Sequence, residues 1–377
     1  MTVPSSTERR ELANAVRSAC ERLASEERVR EVAFELDGRA RGFDTTLWKV
    51  LCDQIGVATI ALPEACGGSG YGVTALGIVA HELGRVLAPV PLVASAVLAS
   101  GLLLDAGASA DLLTGLSDGS RTAAAVLAGD GGLWATAAVA LRAERTGDTW
   151  AVTGSARHVL NGVAADMLVV AARAEGELKL FLIETAAPGV AIEVERVLDA
   201  TRPMAGISLD QAPAGLLHPR GRVEGLIERH VRRALAVLSA EQVGACERIL
   251  EIATDYACTR EQFGRPIGSF QAVKHRCADM LVSLEWARSA SQSALRALDD
   301  DTPEANWLPS LAKAVCSEAL RDAAHSNLQI HGGIGYTWES SAGLYLKRAR
   351  TDEVLFGRPA QHWDLLGAEV IGASTRV

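Results

Sequence analysis

A double change of hydrophobic period restricts the fold of this 377-residue chain more than any other feature of its sequence. From residue 7 to about 110 apolar residues recur at helical steps: Leu12, Val16, Leu23 and Val29 first, then stretches at 47–55 and 73–87. From about 121 to 219 the texture becomes short β-branched and apolar runs broken by Gly, Asp and Pro, at 149–153, 158–160, 167–172 and 179–183. After Arg222 the helical period returns in three long segments, 223–259, 270–298 and 308–330. Segments of that length bury their apolar stripes most simply as an antiparallel bundle. The expected fold is α+β: an N-terminal helical domain over 1–118, a middle β domain over 119–222 and a C-terminal four-helix bundle over 223–377. Between two of the strands, Asn161-Gly162 predicts a hairpin turn.

Charge narrows the function. The 37 Lys and Arg against 46 Asp and Glu leave a net charge of -9, the wrong sign for gripping nucleic-acid phosphates. Cys20, Cys52, Cys66, Cys246, Cys258, Cys277 and Cys316 are odd in number and form no C-x-x-C pair, so they read as reduced thiols, with no zinc site and no other metal expected. The N-terminus is charged from the outset, and no later segment stays apolar for about 20 residues, so a cytoplasmic protein without a membrane span is expected.

Three glycine-rich segments interrupt the helices. The first, at 61–72, carries Pro63, Glu64, Gly67, Gly68 and Gly70 and reads as a loop. The second joins two long helices and carries Arg260, Phe263, Gly264, Gly268 and Gln271. A guanidinium there can clamp a pyrophosphate and an aromatic face can lie against an adenine, although the composition also suits a plain helical hairpin turn. The third ends a long helix with Gln329, His331, Gly332, Gly333, Gly335 and Tyr336. Its glycines allow close backbone approach to a ligand, and on spacing alone it is a helix stop.

Together these segments resemble the acyl-CoA dehydrogenases, whose signatures are R-x-x-F-G-x-x-I-x-x-x-Q and, some sixty residues later, Q-x-x-G-G-x-G-Y; every letter of both is present here. Pro63 to Gly70 resembles the family's N-terminal P-E-x-x-G-G-x-G, and Thr153-Gly154 with Asn161-Gly162 its middle strand pair. The likeness extends to the actinobacterial branch that includes subunits of steroid side-chain-degrading enzymes. It implies an FAD enzyme that takes the pro-R α-proton and a β-hydride from an acyl-CoA thioester, leaving the 2-enoyl-CoA, with an electron-transfer flavoprotein as electron acceptor. Arg260, Phe263, Gln271, Gln329, Gly332 and Gly333 are then the cofactor-binding residues.

The chain departs from that pattern where proton transfer occurs. The family's usual base is a glutamate in a Y-E-G-T segment, and the corresponding stretch here, Leu355, Phe356, Gly357 and Arg358, places Phe356 at its position. A minority of the family carries the base 26 residues before the motif arginine, which is Ala234 here, followed by Leu235 where many relatives have a substrate-steering arginine. Glu241 shares a helix face with Ala234, about 700° and roughly 10 Å along, and is the candidate base. The alternative for Glu241 is a buried carboxylate satisfying a neighbouring polar group. Asp352 and Glu353 are weaker candidates that also read as solvated helix ends. In the β domain the family's T-E-P-like flavin loop falls at 123–132 without that motif, and its W-x-T-N-G segment becomes His158, Val159, Leu160, Asn161 and Gly162. In homotetrameric relatives the two signatures reach across an interface to the neighbour's adenosine and pyrophosphate, whereas the β domain and the base serve the chain's own flavin. This chain keeps what it would lend and has lost much of what it would use, so the expected assembly is heteromeric, with a paralogous acyl-CoA dehydrogenase subunit, and the alternatives are self-association or a catalytically silent homologue. A bulky acyl group, steroid-like, is the expected substrate.

Overall fold

The computed structural model describes residues 3–34, 42–64, 67–127 and 136–374. Contacts divide the chain into two compact units, Met1–Leu76 with Pro89–Ala234, and Gly77–Ala88 with Leu235–Val377. Cys66 and residues 128–132 of the expected flavin loop lie outside the described residues.

The first unit opens with helices α1 (Ser6–Leu23), α2 (Glu26–Phe34), α3 (Thr45–Ile55) and the first turn of α4 (Val73–Arg85). Buried Asp44 caps α3 by accepting from Leu47 N at 2.9 Å, and Gly56, at φ 75°, ends it in the left-handed conformation that glycine adopts without strain. A wholly buried π-helix, Leu92–Ala99, runs into α5 (Ser100–Asp105), and α6 (Ala110–Ser117) leads to the strands. At 61–64 and 67–72 the backbone holds itself: Gly70 N donates to Leu62 O at 2.9 Å, and a Cβ on Gly68 would lie 2.1 Å from that carbonyl.

Seven strands follow: β1 (Ala123–Val126), β2 (Arg142–Thr146), β3 (Thr149–Leu160), β4 (Met167–Ala174), β5 (Glu177–Glu184), β6 (Val190–Val194) and β7 (Met204–Leu217). Their pairings run β4, β5, β7, β3, β2 and back to β4, closing a ring, with β1 and β6 attached to β4 and β7. Closure removes the unpaired edges that an open sheet presents. Inside pack Val152, Leu168, Val170, Phe181 and Ile207, with Trp150 tilted over Phe181 at 5.5 Å.

Two strand-level expectations need correction. Asn161-Gly162 is a turn but not a hairpin: β3 pairs with β2 and β7, never with β4. Asn161, at φ 53°, instead starts a 3₁₀ turn, Gly162–Ala164, and donates its N–H to Pro203 O at 2.9 Å. In this sheet, Gly147-Asp148 makes a two-residue hairpin, and so does Glu175-Gly176 with φ of 55° and 85°. The runs at 149–153 and 158–160 form one strand, β3, broken by register shifts that put Gly154 and His158 at positive φ.

The second unit carries α7 (Val223–Thr259) from Leu235 onward, α8 (Gln271–Asp299), α9 (Leu308–His331), α10 (Ala342–Val354) and α11 (Pro359–Ser374). The long helices interlock through small and polar residues. Ser239 Oγ and Ser291 Oγ share a hydrogen bond at 2.8 Å, and Gln242 Nε2 donates to Ser317 Oγ at 3.0 Å. The second half of α4 crosses α7 so closely that a Cβ on Gly84 would lie 2.1 Å from Glu241 O, and one on Gly244 1.9 Å from His81 O. Beside that crossing Glu247 bridges His81, Arg85 and Arg288, which holds its carboxyl down to about 2, the His81 hydrogen bond contributing most. Among the described residues no helix is long and apolar enough to cross a membrane.

Candidate functional site

The α7–α8 connection is a miniature hairpin, β8 (Glu261–Gln262) against β9 (Arg265–Pro266), with Phe263 and Gly264 as its two-residue turn. Both turn residues have positive φ, 56° and 76°, the pattern of a type I′ turn. Glycine does this freely; phenylalanine is strained there. The strain displays the ring, which is 91% exposed and stands edge-to-face with Phe270 at 6.1 Å, itself stacked under Arg265 at 4.2 Å. Gly268 lets the chain return against α7, where a Cβ would lie 2.9 Å from Ala257 O. Arg260 and Gln271 flank the hairpin and are exposed.

The second signature ends α9 beside it. Tyr256 of α7 and His331 of α9 stack at 4.1 Å and 17°, tying the two glycine segments together within one unit. His331 donates through Nδ1 to Asn327 O at 2.9 Å, at the end of α9. Gln329, Gly332 and Gly333 are exposed, and a Cβ on either glycine would meet no atom within 4 Å. Tyr336, the last letter of the signature, and Trp338 beyond it are 71% and 60% exposed and extend this surface with aromatic faces.

The positions for a base are different in kind. Ala234 and Leu235 are buried, and the nearby cavity, lined by Leu62, Leu76, Ala96, Val97, Leu104 and Arg233, has room for about one water at ≈ 20 Å³. Phe356 is buried at φ 60°, its ring inward. Glu241 is 7% exposed and accepts from Arg348 Nη1 of α10, itself 2% exposed. Asp352 is not a solvated helix end: it is 1% exposed, because this face of α10 turns inward. Glu353 is engaged by Arg321 at 3.1 Å and Arg350 at 2.8 Å; its partial burial is outweighed by these hydrogen bonds, which lower its proton affinity.

On the β domain, His158 at its bulge is hydrogen-bonded through Nδ1 to Glu195, which also takes Arg157 Nε at 2.9 Å. Asn161 is buried in its turn.

Two family models match: the acyl-CoA dehydrogenase N-terminal domain over residues 6–111 and the C-terminal domain over 229–371. An acyl-CoA dehydrogenase from Mycobacterium tuberculosis, IpdE2, is 35% identical over 330 residues, 88% of each chain. The chain belongs to the acyl-CoA dehydrogenase family. Among solved structures, a variant of the Tcur3481-Tcur3483 steroid ACAD superposes with a TM-score of 0.87 at 30% identity, covering 98% of this chain and 99% of the other. The ChsE4-ChsE5 complex from Mycobacterium tuberculosis gives 0.87 at 28% identity with the same coverage. The family's cofactor is FAD. The residues fit its adenosine and pyrophosphate: Phe263 offers an unobstructed ring, Arg260 a guanidinium, and Gly332 and Gly333 open backbone with nothing where side chains would stand.

Proposed function

We propose that this chain is one subunit of a heteromeric, FAD-dependent dehydrogenase that converts a bulky, steroid-like acyl-CoA to its 2-enoyl-CoA. The carrying observation is the contrast between Phe263, held at positive φ and almost fully exposed, and the two base positions, Ala234 and Phe356, which are buried and apolar. Arg260, Phe263, Gln271, Gln329, Gly332 and Gly333 then complete the adenosine and pyrophosphate pocket of a flavin carried by a paralogous acyl-CoA dehydrogenase subunit. FAD, when bound, supplies the hydride acceptor, and an electron-transfer flavoprotein removes the electrons. Proton abstraction belongs to a carboxylate of the partner subunit, and Glu241 is left as the counterpart of Arg348. Two similar structures, a steroid ACAD named for two chains and the ChsE4-ChsE5 complex, support the heteromeric reading by likeness.

The test is expression of the chain alone and together with the paralogue encoded beside it, followed by flavin per chain and turnover. Fewer flavins than chains, with activity only in the pair, is the expected result. A stable, active homo-oligomer with one flavin in every chain overturns the heteromer and favours Glu241 as base. A flavin-free, inactive pair leaves the chain a silent binding homologue.

A further inference from the structure

The turn between α10 and α11 gathers buried groups that neither the cofactor surface nor the proposed reaction uses. Lys313 of α9 has no exposed surface. Its ammonium donates to Gly357 O and Ser317 Oγ at 3.0 Å and to Glu353 O at 3.4 Å. His362 of α11, 4% exposed, contacts Phe356 O through Nε2 at 3.1 Å. A carbonyl can only accept, so Nε2 carries the proton. Burial and then the Lys313 charge push His362 down to about 4, keeping the ring neutral. Carbonyls of residue 353 in the last turn of α10, and of residues 356 and 357 just beyond it, are thus taken by two buried basic side chains.

The backbone they hold is one that a phenylalanine does not choose. Phe356 and Gly357 have φ of 60° and 104°, and Phe356 also turns its ring inward. Such a conformation persists only where its surroundings over-determine it. A buried lysine is costly: burial lowers it to about 8, against the opposing charges of Asp352 and Glu353. What its ammonium adds over an apolar side chain of similar length is three donors, and two of them serve this turn.

We propose that Lys313 and His362 are positioning residues that clamp residues 355–358 and hold Phe356 as a fixed plug where relatives carry the catalytic glutamate. The clamp rests on the reading of this chain as the lending subunit and explains how that subunit's own base position stays shut.

Hydrogen–deuterium exchange on the full chain in its purified assembly tests it, comparing wild type with Lys313→Met, His362→Leu and His362→Gln, the last keeping an amide donor near the Nε2 position. Peptides covering residues 353–361 should exchange at least tenfold faster in Lys313→Met and His362→Leu, return to wild-type rates in His362→Gln, and leave α8 unchanged. Unchanged local exchange in the folded variants, or a uniform rise throughout the bundle, overturns the clamp. Should Lys313→Met not fold, the contrast between His362→Leu and His362→Gln decides. Flavin content and turnover of the same samples report separately on the lending reading. Both stay at wild-type levels if that reading holds, whereas a flavin-free assembly with the local contrast intact defeats the reading and upholds the clamp.

Discussion

Phe263 separates binding from stability more cleanly than any other residue in the chain. Its ring buries almost nothing at 91% exposure, so Phe263→Ala should leave the melting temperature within a degree or so of wild type. Stacking of a base on an aromatic ring is worth about 1–3 kcal/mol, so the same variant should weaken flavin retention by about fivefold to a hundredfold, read by titrating flavin fluorescence of the assembly. Equal retention would show that the displayed ring does not meet the adenine. Glu241 and Arg348 behave in the opposite way. Both are buried, so removing one leaves the other's polar groups unpaired inside the bundle, at a cost of about 3–5 kcal/mol. Arg348→Met should therefore shift the urea midpoint strongly. Glu241→Gln, which keeps a hydrogen-bonding oxygen, should shift it less and leave turnover of the assembly intact. Abolished turnover with flavin still bound would instead assign Glu241 as the base.

At the scale of elements, the α10–α11 turn carries a pH signature of known sign. His362 is held at about 4 in the fold against 6.5 when free, so its contribution is fully present above about pH 6.5. It is lost as pH falls through 4, because the unfolded chain takes the proton first; the depression corresponds to about 3 kcal/mol. Urea midpoints between pH 4.5 and 7 should fall in wild type and flatten in His362→Gln; parallel slopes would contradict the burial of this imidazole. Lys313, lowered to about 8 from 10.5, makes stability rise as pH climbs between those values, the reverse of an ion-paired lysine. Lys313 left no mark in the sequence, because it reaches 44 residues to Gly357 O; Glu241 stood out as a carboxylate, but its partner Arg348, 107 residues away, did not. The helices were legible for the opposite reason. A 3.6-residue period is a local signal, and α7, α8 and α9 begin and end within one residue of where that period does. Strand pairing is non-local, so Asn161-Gly162 marked a turn correctly and a hairpin wrongly. Two-residue strands leave no periodic trace, which hid the turn that lifts Phe263 out, although its motif was plain.

At the scale of the whole molecule, one signature set is intact and displayed, while the groups a chain would use on its own flavin are altered, and this asymmetry predicts which subunit's mutations matter. If the assembly holds flavin only in the partner subunit, every adenosine pocket is completed by Arg260 of this chain, and none by the matching arginine of the partner. Arg260→Ala should then empty all the pockets together, lowering flavin content well below one per partner chain, since a guanidinium on a pyrophosphate is a charge-assisted, bidentate contact that a truncated side chain cannot replace. The equivalent substitution in the partner subunit should leave flavin content and turnover unchanged, because the pocket it would reach lies in this chain, where Ala234 and Phe356 offer no base. Assemblies mixed from variant and wild-type subunits and assayed for flavin absorbance separate the cases. Equal losses from the two substitutions would mean that both chains lend and both receive, as in a homo-oligomer. A loss confined to the partner's arginine would mean that this chain holds the flavin, and the direction of lending would be reversed.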